Sequence, residues 1–101
     1  MIDVIATIRL KPNCREEFLA IFNANVPNVV AEDGCHGYYP AVDVDSGHPA
    51  QEKHYDRVTV VEKWRDVDAL QAHSKAPHML AYGQQVKDMV ETVTLRVVQQ
   101  A

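Results

Sequence analysis

Several kinds of protein are excluded by what this sequence lacks. No run of Lys or Arg exceeds one residue, and ten basic against fourteen acidic side chains leave a net charge of −4. That balance excludes the electrostatic footprint of a nucleic-acid binder or of a protein held to anionic membranes. No stretch approaches the roughly 18 apolar residues that span a bilayer. The opening run Met1-Ile2-Asp3-Val4-Ile5 has no basic leader and an early acid, so it does not read as a signal peptide. A cytoplasmic location is the expectation. There are only two cysteines, Cys14 and Cys35, and neither belongs to a CxxC. A helix between them would part them by about 28 Å at roughly 1.5 Å per residue, far beyond disulfide reach, so both are expected as thiols. Missing too are GxGxxG, GxxxxGK[ST] and Gly-x-Ser-x-Gly, so neither a phosphate cradle nor a serine nucleophile elbow is signalled. With four Gly, five Pro and 47% apolar residues the chain is neither fibrous nor disordered. Its 101 residues suit one domain, residues 1–101.

What is present reads as six elements, the fifth of them a pair of short helices. Ile2, Val4, Ala6, Ile8 and Leu10 alternate as one face of a strand. A long helix follows, with Asn13 and Glu16 as a capping box, Gly34 as its end, and Phe18, Leu19, Phe22, Val26, Val29 and Val30 as its apolar stripe. Pro27 falls opposite the stripe and predicts a kink toward water. Tyr38, Pro40, Val42 and Val44 alternate in a second strand over about 36–45. A proline inside a strand puts it at a sheet edge. The polar run 46–56 is a long hairpin loop, and 57–64 is a third strand with Val58, Val60, Glu62 and Trp64 on one side. Asp66 caps a short helix with Ala69, Leu70 and His73, and Pro77 opens another with Met79, Val86 and Val90 as its stripe. A last strand covers 92–99. This order predicts an α+β, ferredoxin-like βαββαβ fold: a four-stranded antiparallel sheet with both helical segments on one face. The other face would hold Ile5, Val61, Val98 and the stem of Lys63, too apolar to meet water alone. Its economical partner is a second copy, making a homodimer.

Candidate chemistry concentrates between residues 62 and 82. Glu62 and Trp64 share an inward strand face, where a carboxyl group would be pushed toward a raised pKa. His73 follows on the inner side of the short helix, His78 opens the next helix, and Tyr82 lies one turn further. His36 and Tyr38 share a face of the second strand, where they either extend the polar lining or bond across the sheet edge. His73 and His78 are five apart across a proline, unlike a helical metal pair, and His48 and His54 lie in a polar loop with no nearby Cys. No metal site is therefore predicted. Cys35 reads as packed rather than nucleophilic.

The ordered runs Glu32-Asp33-Gly34-Cys35-His36-Gly37-Tyr38, Val60-Val61-Glu62-Lys63-Trp64, Ala69-Leu70-Gln71-Ala72-His73 and Pro77-His78 resemble the antibiotic biosynthesis monooxygenase family. That pattern is GC-x-x-Y, then E-x-W on a strand, then A-L-x-x-H with a further His close by, and it spans nearly the whole chain. The resemblance implies a dimeric α/β barrel and a pocket between sheet and helices. It also implies a monooxygenase of a small quinol or phenol that uses O2 and no cofactor. In that reading His73 or His78 is the base and Glu62 orients it, while Trp64 stacks on the small aromatic substrate, with Tyr38, His36 and Tyr82 nearby. The heme-degrading branch of the wider family uses an Asn on the first strand, where this chain offers Thr7. An isomerase of a small carbonyl or phosphosugar compound would use the same His and Glu, and a dimeric ligand-binding module would use the same hollow without turnover.

Overall fold

The computed structural model describes residues 1–101. Its elements are β1 (Ile2–Leu10), α1 (Arg15–Val30), β2 (Cys35–Val42), β3 (Arg57–Trp64), α2 (Val67–Lys75), α3 (Pro77–Val86) and β4 (Val90–Val98). The strands form one antiparallel sheet in the order β2-β3-β1-β4. This is the ferredoxin-like arrangement expected, and β2, the strand with Pro40, lies at an edge. No helix is long and apolar enough to cross a membrane.

Strand alternation explains which face is covered. Ile2, Val4, Ala6, Ile8 and Leu10 are all buried, and opposite them on β3 stand Trp64, Glu62, Val60 and Val58. Rows of facing residues therefore run across the sheet beneath the helices, one of them Tyr38–Glu62–Val4–Val97. From α1, Phe18, Phe22 and Val29 close over this face and complete a core with Val86 of α3. On the reverse face Tyr39, Val61 and Ile5 form a row, beside the Lys63–Asp3 ion pair of 2.7 Å.

The helix starts differ from one another. Asp66 caps α2, accepting the Ala69 N–H at 2.9 Å, and Pro77 occupies the first turn of α3, where its missing N–H costs nothing. The capping box expected at Asn13 does not form. Asn13 adopts the left-handed conformation (φ 66°) that Asn tolerates, so the chain turns there and Cys14 becomes a cap with no side-chain bond. Glu16 and Glu17 still place negative charge at the positive end of α1. The helix runs unbroken past Pro27, which lies on its exposed side, and ends before Gly34. Val30 is exposed, about 100° around the helix from Val29 at its last turn. Gly34 instead reverses the chain into β2. Its φ is +84°, and a Cβ there would lie 2.7 Å from that of Ala69.

Two strands are displaced from their expected bounds. The second ends at Val42, leaving Val44 exposed in the loop, where Asp43 is drawn instead onto Arg57 at 2.6 Å. Burial works against the Asp43 charge, but the His54 N–H and the Arg57 guanidinium outweigh it and hold the carboxyl below its ordinary pKa. The last strand begins at Val90, which pairs with Leu10 of β1 rather than joining the stripe of α3. Val93, Leu95 and Val97 of β4 share the helix side of the sheet, yet the helices leave them exposed.

Candidate active site

A cavity of about 290 Å³ lies between the sheet and the three helices. Val4, Ala6, Ile8 and Val60 form its floor, and Phe22, Leu70 and Met79 enclose it from the helices. Against this apolar lining stand few polar groups: Glu62, His73, Ser74 and the Tyr38 and Tyr82 phenols. Val93 and Leu95 make the wall on the β4 side. A shape of this kind, mostly apolar with convergent polar groups, suits a small organic ligand.

Glu62 enters the interior because strand alternation directs it to the face that also holds Val58 and Val60. Trp64, two residues on, donates its indole N–H to Glu62 Oε1 at 2.9 Å. Burial pushes the Glu62 carboxyl above the ordinary range, against the pull of that N–H and of the nearby His73 ring, and the Glu32 charge adds to the rise. Tyr38 stands directly opposite on β2. Burial first, and the Glu62 charge second, push the Tyr38 and Tyr82 phenols well above their usual pKa. Both are therefore neutral phenols that can donate and accept hydrogen bonds.

A second carboxylate organises the imidazoles. Glu32 lies in the turn between α1 and β2, where its N–H bonds to Val29 O and its carbonyl accepts the Cys35 N–H. Its Oε2 is 2.8 Å from His73 Nδ1 and 3.2 Å from His78 Nε2. An ionised carboxylate can only accept, so facing one Nδ1 is the donor, and in the neutral ring this leaves the lone pair on Nε2. The His73 ring is wedged against Trp64 (centroids 4.7 Å apart) and Tyr38 (5.6 Å), which fixes its plane. The contact from His78 lies outside hydrogen-bond geometry, and both of its ring nitrogens are buried without a partner.

These positions sort the candidates named from the sequence. Glu62, His73, Tyr38 and Tyr82 come together in the cavity lining. Trp64 does not: it is 0% exposed and packed behind His73, so its indole supports the lining and cannot stack on a ligand. The aromatic rings in the lining are Phe22 and Tyr38, stacked on each other with centroids 5.3 Å apart, and Tyr82. His36 is exposed and outside the cavity. A bulge at this residue puts it between Cys35, which pairs with Trp64, and Gly37, which pairs with Lys63, so His36 and Tyr38 no longer share a face. Nor does His78 line the cavity; it lies behind Glu32. The carboxylate that orients His73 is Glu32, whereas Glu62 is bonded to Trp64.

Sequence reading missed Glu32 because no spacing rule links a turn residue to an imidazole 41 positions later. The available signal was its place in the Glu-Asp-Gly-Cys run that meets the strand beside Trp64. Burial raises the Cys35 thiol pKa despite its contact with the Gly37 carbonyl, and the Glu32 and Glu62 charges add to the rise, which favours the protonated thiol over the thiolate. His48 and His54 are exposed in the β2–β3 loop and touch no part of the cavity. No three His, Cys, Asp or Glu side chains converge in a geometry that would hold a metal ion.

Comparison with known proteins agrees with this fold. The family described as antibiotic biosynthesis monooxygenase matches residues 1–85. The chain is 40% identical over 101 residues to the "Probable quinol monooxygenase YgiN" of Escherichia coli strain K12, covering 98% of this chain and 97% of that protein. It shares 27% identity and a TM-score of 0.80 with the structure of Rv0793 from Mycobacterium tuberculosis, over 99% of this chain and 94% of the other. PA3566 from Pseudomonas aeruginosa, at 24% identity and a TM-score of 0.81 over 99% and 93% of the two chains, shares the fold. On the ordered motifs, the sheet topology and these matches, the chain belongs to the antibiotic biosynthesis monooxygenase family.

Proposed function

We propose that the chain is a cofactor-independent monooxygenase that oxidises a small quinol or related phenol with O2. The observation that supports it most is the 2.8 Å contact between Glu32 and His73 Nδ1, on a histidine that lines an apolar cavity. Kinship with a protein named a quinol monooxygenase points the same way.

O2 reacts poorly with a neutral quinol but accepts an electron from its anion. His73 Nε2 takes a proton from one quinol hydroxyl, and Glu32 balances the imidazolium that results. Glu62 and Tyr38 hold the second quinol oxygen by hydrogen bonds, and the lining of Val4, Ala6, Val60 and Leu70 excludes water. The quinolate gives one electron to O2, and the resulting radical pair joins at a ring carbon as a peroxide anion, which takes the His73 proton to become a hydroperoxide. The neutral His73 then removes the ring C–H proton as the O–O bond breaks, leaving a new carbonyl, and the departing hydroxide takes that proton back from His73 as water. Quinol and O2 thus become hydroxyquinone and water, one oxygen atom in each. The chain works as a homodimer in this reading, because Ile5, Val61 and Tyr39 lie on the sheet face that the helices leave bare.

Labelled O2 gives the test. With metal-free protein and hydroquinones, one labelled atom per turnover enters the organic product and the other enters water. Label entering only hydrogen peroxide, or no oxygen consumption with any quinol, would contradict the proposal.

A further inference from the structure

The cavity continues past its polar groups. A second hollow of about 300 Å³ opens between α3 and β4. Ile8, Tyr82, Gly83 and Val93 line both hollows, so the two adjoin. Beyond these four the second is walled by Val86, Val90 and Lys87. It holds no carboxylate and no imidazole, whereas Glu62, His73, Ser74 and Tyr38 all belong to the first. One end of the combined space can therefore grip an aromatic head, and the other is apolar apart from Lys87 and the shared Tyr82 phenol.

We propose that the second hollow is a subsite for an aliphatic substituent, so that the substrate is a quinol or phenol bearing a hydrocarbon chain. The assignment rests on the first cavity being the quinol site. Two features support it. Val93 and Leu95 are 57% and 59% exposed along the wall that such a chain would follow, and covering apolar surface of this kind is favourable. Gly83 lies on α3 at the junction, and a Cβ there would meet no atom within 4 Å, so the passage is open where any side chain would narrow it. A chain attached to a ring already held in the first cavity loses no further translational freedom on entering the second, which favours this occupant over an unattached one.

Anaerobic titration calorimetry of the full chain with methyl-, butyl-, hexyl- and octylhydroquinone tests the subsite without turnover. Affinity should rise roughly three- to fourfold for each methylene buried, until the hollow is full, and then level off. Gly83→Leu, which fills open space on an exposed helix face, should abolish that rise relative to methylhydroquinone measured on the same variant. Val93→Phe should do so from the sheet side. A flat series on the native chain, or a rise that persists in both variants, would overturn the subsite. Oxygen uptake with methylhydroquinone is read separately. A rising series without uptake keeps the subsite and removes the oxygenase reading, and uptake with a flat series does the reverse.

Discussion

Replacing Glu62 by Gln tests the electrostatics of the cavity floor through stability alone. The carboxyl is 6% exposed and accepts the Trp64 indole N–H, a bond that the Gln carbonyl preserves. Burial raises its pKa in the fold above the ordinary value near 4.3. A group raised in this way favours the native state fully below its unfolded pKa and loses that benefit as pH climbs to the folded value. Native stability should therefore fall across this window, whereas Gln, which never ionises, should not follow it. The stability gap between variant and native chain should widen in favour of Gln by up to about 1.4 kcal/mol per pH unit, then level off. Each kcal/mol corresponds to about 4–8 °C in Tm for a domain of this size. Urea and thermal melts of both proteins from pH 4 to pH 8 measure the gap. A gap constant with pH, or one that widens toward acid, would refute the reasoning.

Other consequences follow from the same contacts. Trp64→Phe leaves Glu62 Oε1 buried without its donor and should cost about 1–3 kcal/mol in denaturant melts. Because the indole does not reach the cavity, quinol affinity should stay nearly constant in the portion that remains folded. Glu32→Gln keeps an acceptor for His73 Nδ1 but removes the balancing charge, so kcat for quinol oxidation should fall about tenfold or more in steady-state assays, with KM little changed. Arg57→Ala frees Asp43, whose lowered pKa gives stability that is present above about 3.9 and lost in more acid solution. The variant should lose about 1–3 kcal/mol near neutral pH and show a flatter acid limb in melts below about pH 4.

The residues that made the fold legible are those whose environment repeats with the period of their element. Ile2 to Leu10 and Val58 to Trp64 alternate cleanly because one face of each strand is covered, and Pro40 marked an edge because a proline cannot donate to a ladder. Departures arose where a single residue broke the period. The bulge at His36 reversed its face relative to Tyr38, and the left-handed Asn13 moved the helix cap by one residue. Within the site, Glu62 and His73 were legible because they lie in periodic elements that face the core. Glu32 was not, since a turn residue has no period, and its partner comes from α2, across the fold. Trp64 was placed on the correct face but at the wrong depth: alternation gives direction, and only packing decides that His73 lies between the indole and the cavity. Strand alternation likewise gave no sign that the helices stop short of β4, which is what leaves the second hollow open.

The account depends most on His73 as the group that takes the quinol proton. Its direct test is oxygen consumption by the His73→Ala variant, beside the native chain, on one hydroquinone without added metal or flavin. The prediction is at least a tenfold loss of rate in a variant whose circular dichroism remains native, with part of the loss restored by added imidazole. A variant that consumes oxygen at the native rate would contradict it.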